Sequence, residues 1–103
     1  MEGKILRHLV LFKFKDNTAQ KNVREIETAF MDLKNKIDVI QSIEWGTDVS
    51  TEGIRQGFTH CFFLTFGSAN DRDAYLPHPE HKAFGRLLEP FLDKVLVVDY
   101  WTN

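Results

Sequence analysis

Cysteine is nearly absent from this chain of 103 residues, where Cys61 stands alone. One thiol excludes an internal disulfide framework and fits a reducing compartment. No apolar run approaches the roughly 18 residues that span a bilayer, and Met1-Glu2-Gly3-Lys4 leads into a strand pattern without signal-peptide architecture. Together these absences predict a cytoplasmic chain with no membrane partner. An excess of either charge is also missing. Thirteen basic residues face fifteen acidic ones for a net charge of -2, with no basic stripe, so nucleic acid is not an expected partner. There is no Gly-rich phosphate loop and no Gly-x-Ser-x-Gly elbow. What the chain has in quantity is aromatic: nine phenylalanines, enough to fill a core, line a pocket or build an oligomer interface. The length predicts one domain over residues 1–103, able to bury roughly 65% of its unfolded surface.

Proline is scarce as well, and two of the three fall in one stretch, Tyr75-Leu76-Pro77-His78-Pro79-Glu80-His81. Each proline lacks an N–H and crowds the turn before it. The spacing predicts a helix ending near Tyr75, a sharp corner, and a new helix with Pro79 at its first position. His81 then falls in the first turn, at the head of a stripe continued by Phe84, Leu88 and Phe91. His78 falls at the N-cap, where its role is local.

The remaining elements follow from periodicity. Residues 4–14 alternate as a strand, with Leu6, His8, Val10, Phe12 and Phe14 on one face and Ile5, Arg7, Leu9, Leu11 and Lys13 on the other. Asn17, with Gln20 three residues on, reads as a helix start. Val23, Ile26, Phe30, Leu33 and Ile37 mark the buried side of that helix. Residues 39–48 read as a second strand, with Gly46 as a bulge or a close approach. Residues 58–66 read as a third, carrying Phe58, His60, Phe62, Leu64 and Phe66 on one face and Cys61 and Phe63 on the other. Ser68 with Asp71 caps a short helix through Tyr75, Pro90 ends the next, and residues 94–101 form the last strand. The order is βαββ(αα)β, the outline of an α+β, ferredoxin-like sandwich. Helices cover one sheet face. Leu9, Leu11 and Phe63 on the other are too apolar to face water as one patch. A homodimer packed through this face, which also carries Cys61, is the expected cover.

Several segments together resemble the stress-responsive dimeric α/β-barrel (Dabb) family, which includes olivetolic acid cyclase-like proteins. They are Arg7-His8-Leu9-Val10-Leu11-Phe12-Lys13-Phe14, Glu44-Trp45-Gly46-Thr47-Asp48, Gly57-Phe58-Thr59-His60, Tyr75 to His81, and Asp99-Tyr100. The resemblance runs over nearly the whole chain in order. It implies a ferredoxin-like fold and a dimer whose sheets close into a barrel. In the cyclase, a histidine and a tyrosine of the proline motif carry an intramolecular aldol condensation, aided by histidines on the first and third strands. Those positions correspond here to His81, Tyr75, His8 and His60. The same residues belong to the general family motif, so they do not select the cyclase.

Read from the residues alone, His81 is the leading candidate for a general base. The partial positive charge of a helix start disfavours imidazolium and leaves the proton-accepting form. Tyr75 is a candidate oxyanion donor. His8 and His60 are candidates to orient a small apolar or carbonyl ligand, with Val10, Phe12, Phe30, Phe62 and Phe84 as walls. The plainer reading makes each histidine a satisfied core residue. A metal held by His78 and His81 around Glu80 has too few ligands at too short a spacing, and no metal or other cofactor is expected. Pleat geometry separates Cys61 from His60, so they do not form a nucleophile pair. Asp99 is expected to pair with Arg7 or Lys13 across the dimer. Three functions stay open: a His/Tyr acid–base enzyme or binder, a non-catalytic stress-related oligomer, and a monooxygenase-like dimeric barrel enzyme.

Overall fold

A computed structural model describes residues 4–102. The strands are β1 (Leu6–Phe14), β2 (Ser42–Thr47), β3 (His60–Phe66) and β4 (Leu92–Trp101). The helices are α1 (Gln20–Lys36), α2 (Ala69–Tyr75) and α3 (Pro79–Leu88), and a 3₁₀ turn, Glu89–Phe91, leads into β4. The sheet is antiparallel throughout in the order β2-β3-β1-β4, which is the ferredoxin-like α+β arrangement.

The strand period of two sorts the side chains as expected. On β1 and β3 the registered pairs Leu6–Phe66, His8–Leu64, Val10–Phe62 and Phe12–His60 all lie on the buried, helix-covered face. From α1, Ile26, Phe30 and Leu33 descend onto this face, and Phe30 stacks on Phe62 at 4.2 Å between ring centroids. The opposite face carries Leu9, Leu11, Cys61 and Phe63, all half-buried in the single chain. β4 is an edge strand beyond the helix layer. Val95 and Val97 on the helix side and Leu96 and Val98 on the other are all close to half exposed.

Both ends of the proline corner form as the sequence implies. Ser68 Oγ accepts the Asp71 N–H at 3.1 Å and caps α2. His78 Nδ1 accepts the Glu80 N–H at 3.0 Å and caps α3, with Pro79 at its first position. Among the described residues no helix is long and apolar enough to cross a membrane.

Four local expectations are corrected. Asn17 does not cap α1: it sits at φ 67 in a turn closed by Thr18 Oγ1 on the Lys15 carbonyl, so the helix starts later, with Ala19 at an unassisted N-cap. Asparagine is one of the few residues that tolerates this left-handed conformation. β2 begins at Ser42 rather than 39, because Ile40 N–H turns back to the Ile37 carbonyl. β3 begins at His60 rather than 58, because Phe58 N–H closes a turn on Arg55. Gly46 marks neither a bulge nor a close approach. Nothing lies within 4 Å of where its Cβ would be, and the sheet irregularity falls at Lys13/Phe14.

Leu64 lies at the centre of this core, fully buried between β1 and β2. Leu64→Ala is expected to lower unfolding stability by about 2–5 kcal/mol, read by urea denaturation, through lost burial and the cavity left behind.

Candidate functional site

An open cavity of about 410 Å³ lies between the helix layer and the β1–β4 half of the sheet. Its walls are apolar, with Val10, Phe12, Phe30, Phe84, Leu88 and Val97 among them. Its polar residues are His8, Arg72, Asp73, Tyr75, His81 and Asp99. The candidate residues His8, Val10, Phe12, Phe30, Tyr75, His81 and Phe84 are therefore brought together on one cavity.

The proline corner sets the chemistry of His81. Because the chain breaks after Leu76, that carbonyl has no helical N–H to receive, and His81 Nδ1 lies 2.9 Å from it. A carbonyl can only accept, so Nδ1 carries the proton and Nε2 is left as a bare acceptor. Burial is the main cause that lowers the His81 pKa; the nearby His8 and His78 add to it, and the Leu76 bond opposes. The expected neutral imidazole is thus favoured chiefly by desolvation.

Tyr75 packs against His81 with ring centroids 4.5 Å apart and against His8 at 5.9 Å. It is 1% exposed. Among the described residues its hydroxyl has no hydrogen-bond partner, and burial pushes its pKa well above the ordinary phenol value. The hydroxyl therefore stays protonated at neutral pH and can donate.

His8 is buried on β1, and its Nδ1 lies 2.7 Å from Asp99 Oδ1 on β4. Asp99 Oδ2 is held at 3.2 Å by Arg72 Nη1 from α2, and Arg72 Nε donates to Asp73 at 3.1 Å. Asp99 does not pair with Arg7 or Lys13 within the chain. Arg7 lies on the opposite sheet face, donating to Thr65 Oγ1 and covering the Phe63 ring, while Lys13 pairs with Asp93. The His8–Asp99–Arg72 chain is the part of the site that sequence reasoning missed. The signal was a polar residue, Asp99, at the register position opposite His8, which only the β1–β4 pairing reveals.

His60 and Phe62 are not among the cavity-lining residues. His60 Nε2 donates to Glu27 Oε2 at 2.7 Å, and its Nδ1 meets Thr59 Oγ1 at 2.8 Å. The ring also lies parallel to Trp45. Both ring nitrogens are committed, and the third-strand histidine ties α1 to the β2–β3 half of the sheet. The sequence placed it on the correct face but at the wrong end, because four residues of strand separate its row from that of His8. Phe62 backs the cavity through its stack on Phe30. Among the described residues no three His, Cys, Asp or Glu side chains converge as a metal would require.

A family model described as Stress responsive A/B Barrel Domain matches residues 6–102. The chain is 38% identical over 95 residues to the stress-response A/B barrel domain-containing protein HS1 of Arabidopsis thaliana, covering 92% of this chain and 87% of that protein. It is 33% identical to olivetolic acid cyclase of Cannabis sativa, covering 92% and 94%. Among solved structures, a hydroxynitrile lyase from Passiflora edulis superposes with TM-score 0.89 at 30% identity, covering 96% and 94% of the two chains. A Bacteroides fragilis protein described as dimeric, of unknown function and ferredoxin-like fold, superposes with TM-score 0.73 at 28% identity, covering 93% and 94%.

The depressed His81 pKa has a consequence for stability. In the unfolded chain an imidazole binds its proton near pH 6.5, whereas the folded site binds it only at lower pH. The unfolded state thus holds more protons in that window, so stability falls as pH drops below about 6.5 and levels off once the folded His81 is also charged. Stability curves for the parent and His81→Gln should differ in slope only there, the parent being the steeper.

Proposed function

The chain belongs to the stress-responsive α/β-barrel domain family, and from that footing we propose that it takes a small apolar carbonyl compound into the cavity and moves a proton on it with its own side chains. His81 Nε2 is the base. From a carbon beside a carbonyl it removes a proton, and the electron pair of the broken C–H bond forms the C=C bond of an enolate with the charge on the carbonyl oxygen; from a hydroxyl it removes a proton, and the pair stays on that oxygen. Tyr75 donates its O–H to that developing oxyanion. The observation that carries the reading is their juxtaposition: an imidazole with Nδ1 anchored on Leu76, in ring contact with a buried tyrosine whose hydroxyl has no partner among the described residues. Burial moves the two groups in opposite directions, lowering the base and raising the donor, which is how a site separates acid from base at one pH. His8, tethered through Nδ1, orients the ligand, and Val10, Phe12, Phe30 and Phe84 hold its apolar part. Relatives named as a cyclase and as a hydroxynitrile lyase support a reaction of this class.

His81→Ala and Tyr75→Phe test this against a panel of aromatic and polyketide-like carbonyl compounds. Each is expected to cut turnover on the order of 10²-fold. Tyr75→Phe should leave the melting temperature nearly unchanged, since it removes an unpartnered hydroxyl. If the parent binds nothing and both variants only melt earlier, the pair is structural and the non-catalytic oligomer is the better reading.

The open sheet face is proposed to pack against a second copy, forming a homodimer. Leu9, Leu11, Cys61 and Phe63 form one apolar field with the half-exposed Leu96 and Val98. Structural neighbours described as dimeric support this. An interface of this kind buries upwards of about 2,000 Å² in total. Leu11→Asp is expected to give an aggregating or unfolded chain. Sedimentation of the parent as a well-folded monomer would remove the proposal.

A further inference from the structure

Arg72 lines the cavity, yet the proposed reaction gives it no task. Its guanidinium lies between two carboxylates: Nε bonds Asp73 and Nη1 bonds Asp99. Asp73 is 61% exposed, so that bond is weakened by solvent. Asp99 is 25% exposed, and its other oxygen receives His8 Nδ1, whose ring is buried. The Asp99 carboxylate thus stands between a cation from α2 and an imidazole from β1.

We infer that Arg72 is a positioning residue for His8 and acts through Asp99: it holds the carboxylate so that one oxygen faces His8 Nδ1, which fixes Nδ1 as the donor and leaves Nε2 as an acceptor for the ligand. A carboxylate oxygen can only accept, so the ring nitrogen that faces it is the one that donates. A guanidinium on the second carboxylate oxygen fixes the carboxylate plane. Among the described residues the remaining charged or titratable groups facing His8 are few. Tyr75 and Asp73 come from α2 and His81 from α3, while β3 presents apolar Phe66. Arg72 is the one permanent cation among them. With it in place the site offers two bare imidazole nitrogens, on His81 and His8, flanking the Tyr75 hydroxyl. Without it, the carboxylate is free to turn away and the His8 ring is free to exchange tautomers.

This role matters for function only if the cavity is the ligand site proposed above, on which it rests, but its test needs no ligand. Histidine-labelled protein is examined by ¹⁵N NMR at pH 7.5, reading His8 Nε2. The parent should give the signal of a bare imidazole nitrogen. Arg72→Met, which keeps the apolar stem, should move it toward the N–H range, and Arg72→Lys should restore the parent signal. Arg72→Met combined with Asp99→Asn should give the same signal as Asp99→Asn alone, because Arg72 acts only through the carboxylate. That double variant separates positioning from damage to the fold. A His8 signal identical in the parent and Arg72→Met overturns the inference, as does a double variant whose signal differs from that of Asp99→Asn alone. A cavity that binds no carbonyl compound leaves these signals untouched and counts against the proposed reaction instead.

Discussion

The helix cannot continue past Leu76, and much of the site depends on that interruption. Pro77 and Pro79 break the helix, and the Glu80 N–H that would have reached the Leu76 carbonyl caps the new helix on His78 instead, so that carbonyl is left open. His78 supplies the cap through Nδ1, and His81 takes the vacant carbonyl through its own Nδ1. Two histidines three residues apart thereby adopt opposite tautomers, each fixed by a backbone group. The same corner folds α3 back beside α2, bringing His81 onto Tyr75. An uninterrupted helix would satisfy the Leu76 carbonyl internally and leave His81 free to choose either tautomer.

Hydrogen-bond supply then divides the polar groups of the buried face into two kinds. At the β2–β3 end, His60 has a partner on each nitrogen, from Glu27 and Thr59, and a parallel Trp45 ring covers it. A histidine so fully engaged stabilises the junction of α1 with the sheet and has no lone pair to offer. At the β1–β4 end, His8 and His81 are each held by one nitrogen only, and the Tyr75 hydroxyl by nothing among the described residues. Buried polar atoms without partners are costly in a protein interior. Among the described residues no fully buried side-chain polar atom lacks a partner; the unbonded atoms here reach a cavity that water or a ligand can fill.

The cavity exists because the helix layer is narrower than the sheet. β1 and β3 are covered on one face by α1 and α3, whereas β4 extends beyond them and leaves Val95 and Val97 half exposed. The space between helices and edge strand is bridged near its polar end by the Arg72–Asp99 ion pair. The opposite face of the same strand, with Leu96 and Val98, runs into the field formed by Leu9, Leu11 and Phe63. One strand therefore contributes to the wall of the cavity and to the face proposed for association.

The sequence by itself determined the order and kind of every strand and α-helix, because each is written in local chemistry, though not the 3₁₀ turn Glu89–Phe91. Strands alternated with a period of two, α1 and α3 repeated their apolar residues every three or four, and Ser68, His78 and Pro79 set the caps. It also determined that His8, His60 and His81 would turn inward, since each shares a stripe with large apolar neighbours. The start of α1 was misread, because Asn17 serves a left-handed turn as readily as a cap, and the side-chain type does not say which. Only the tertiary structure decided which inward histidines meet. Strand register put Asp99 beside His8, and it put His60 four residues along the sheet with Glu27 from α1. These are pairings between segments 33 and 91 residues apart in the chain. No local pattern encodes such a distance, because it is fixed by which strands become neighbours and by how the helices lie across them.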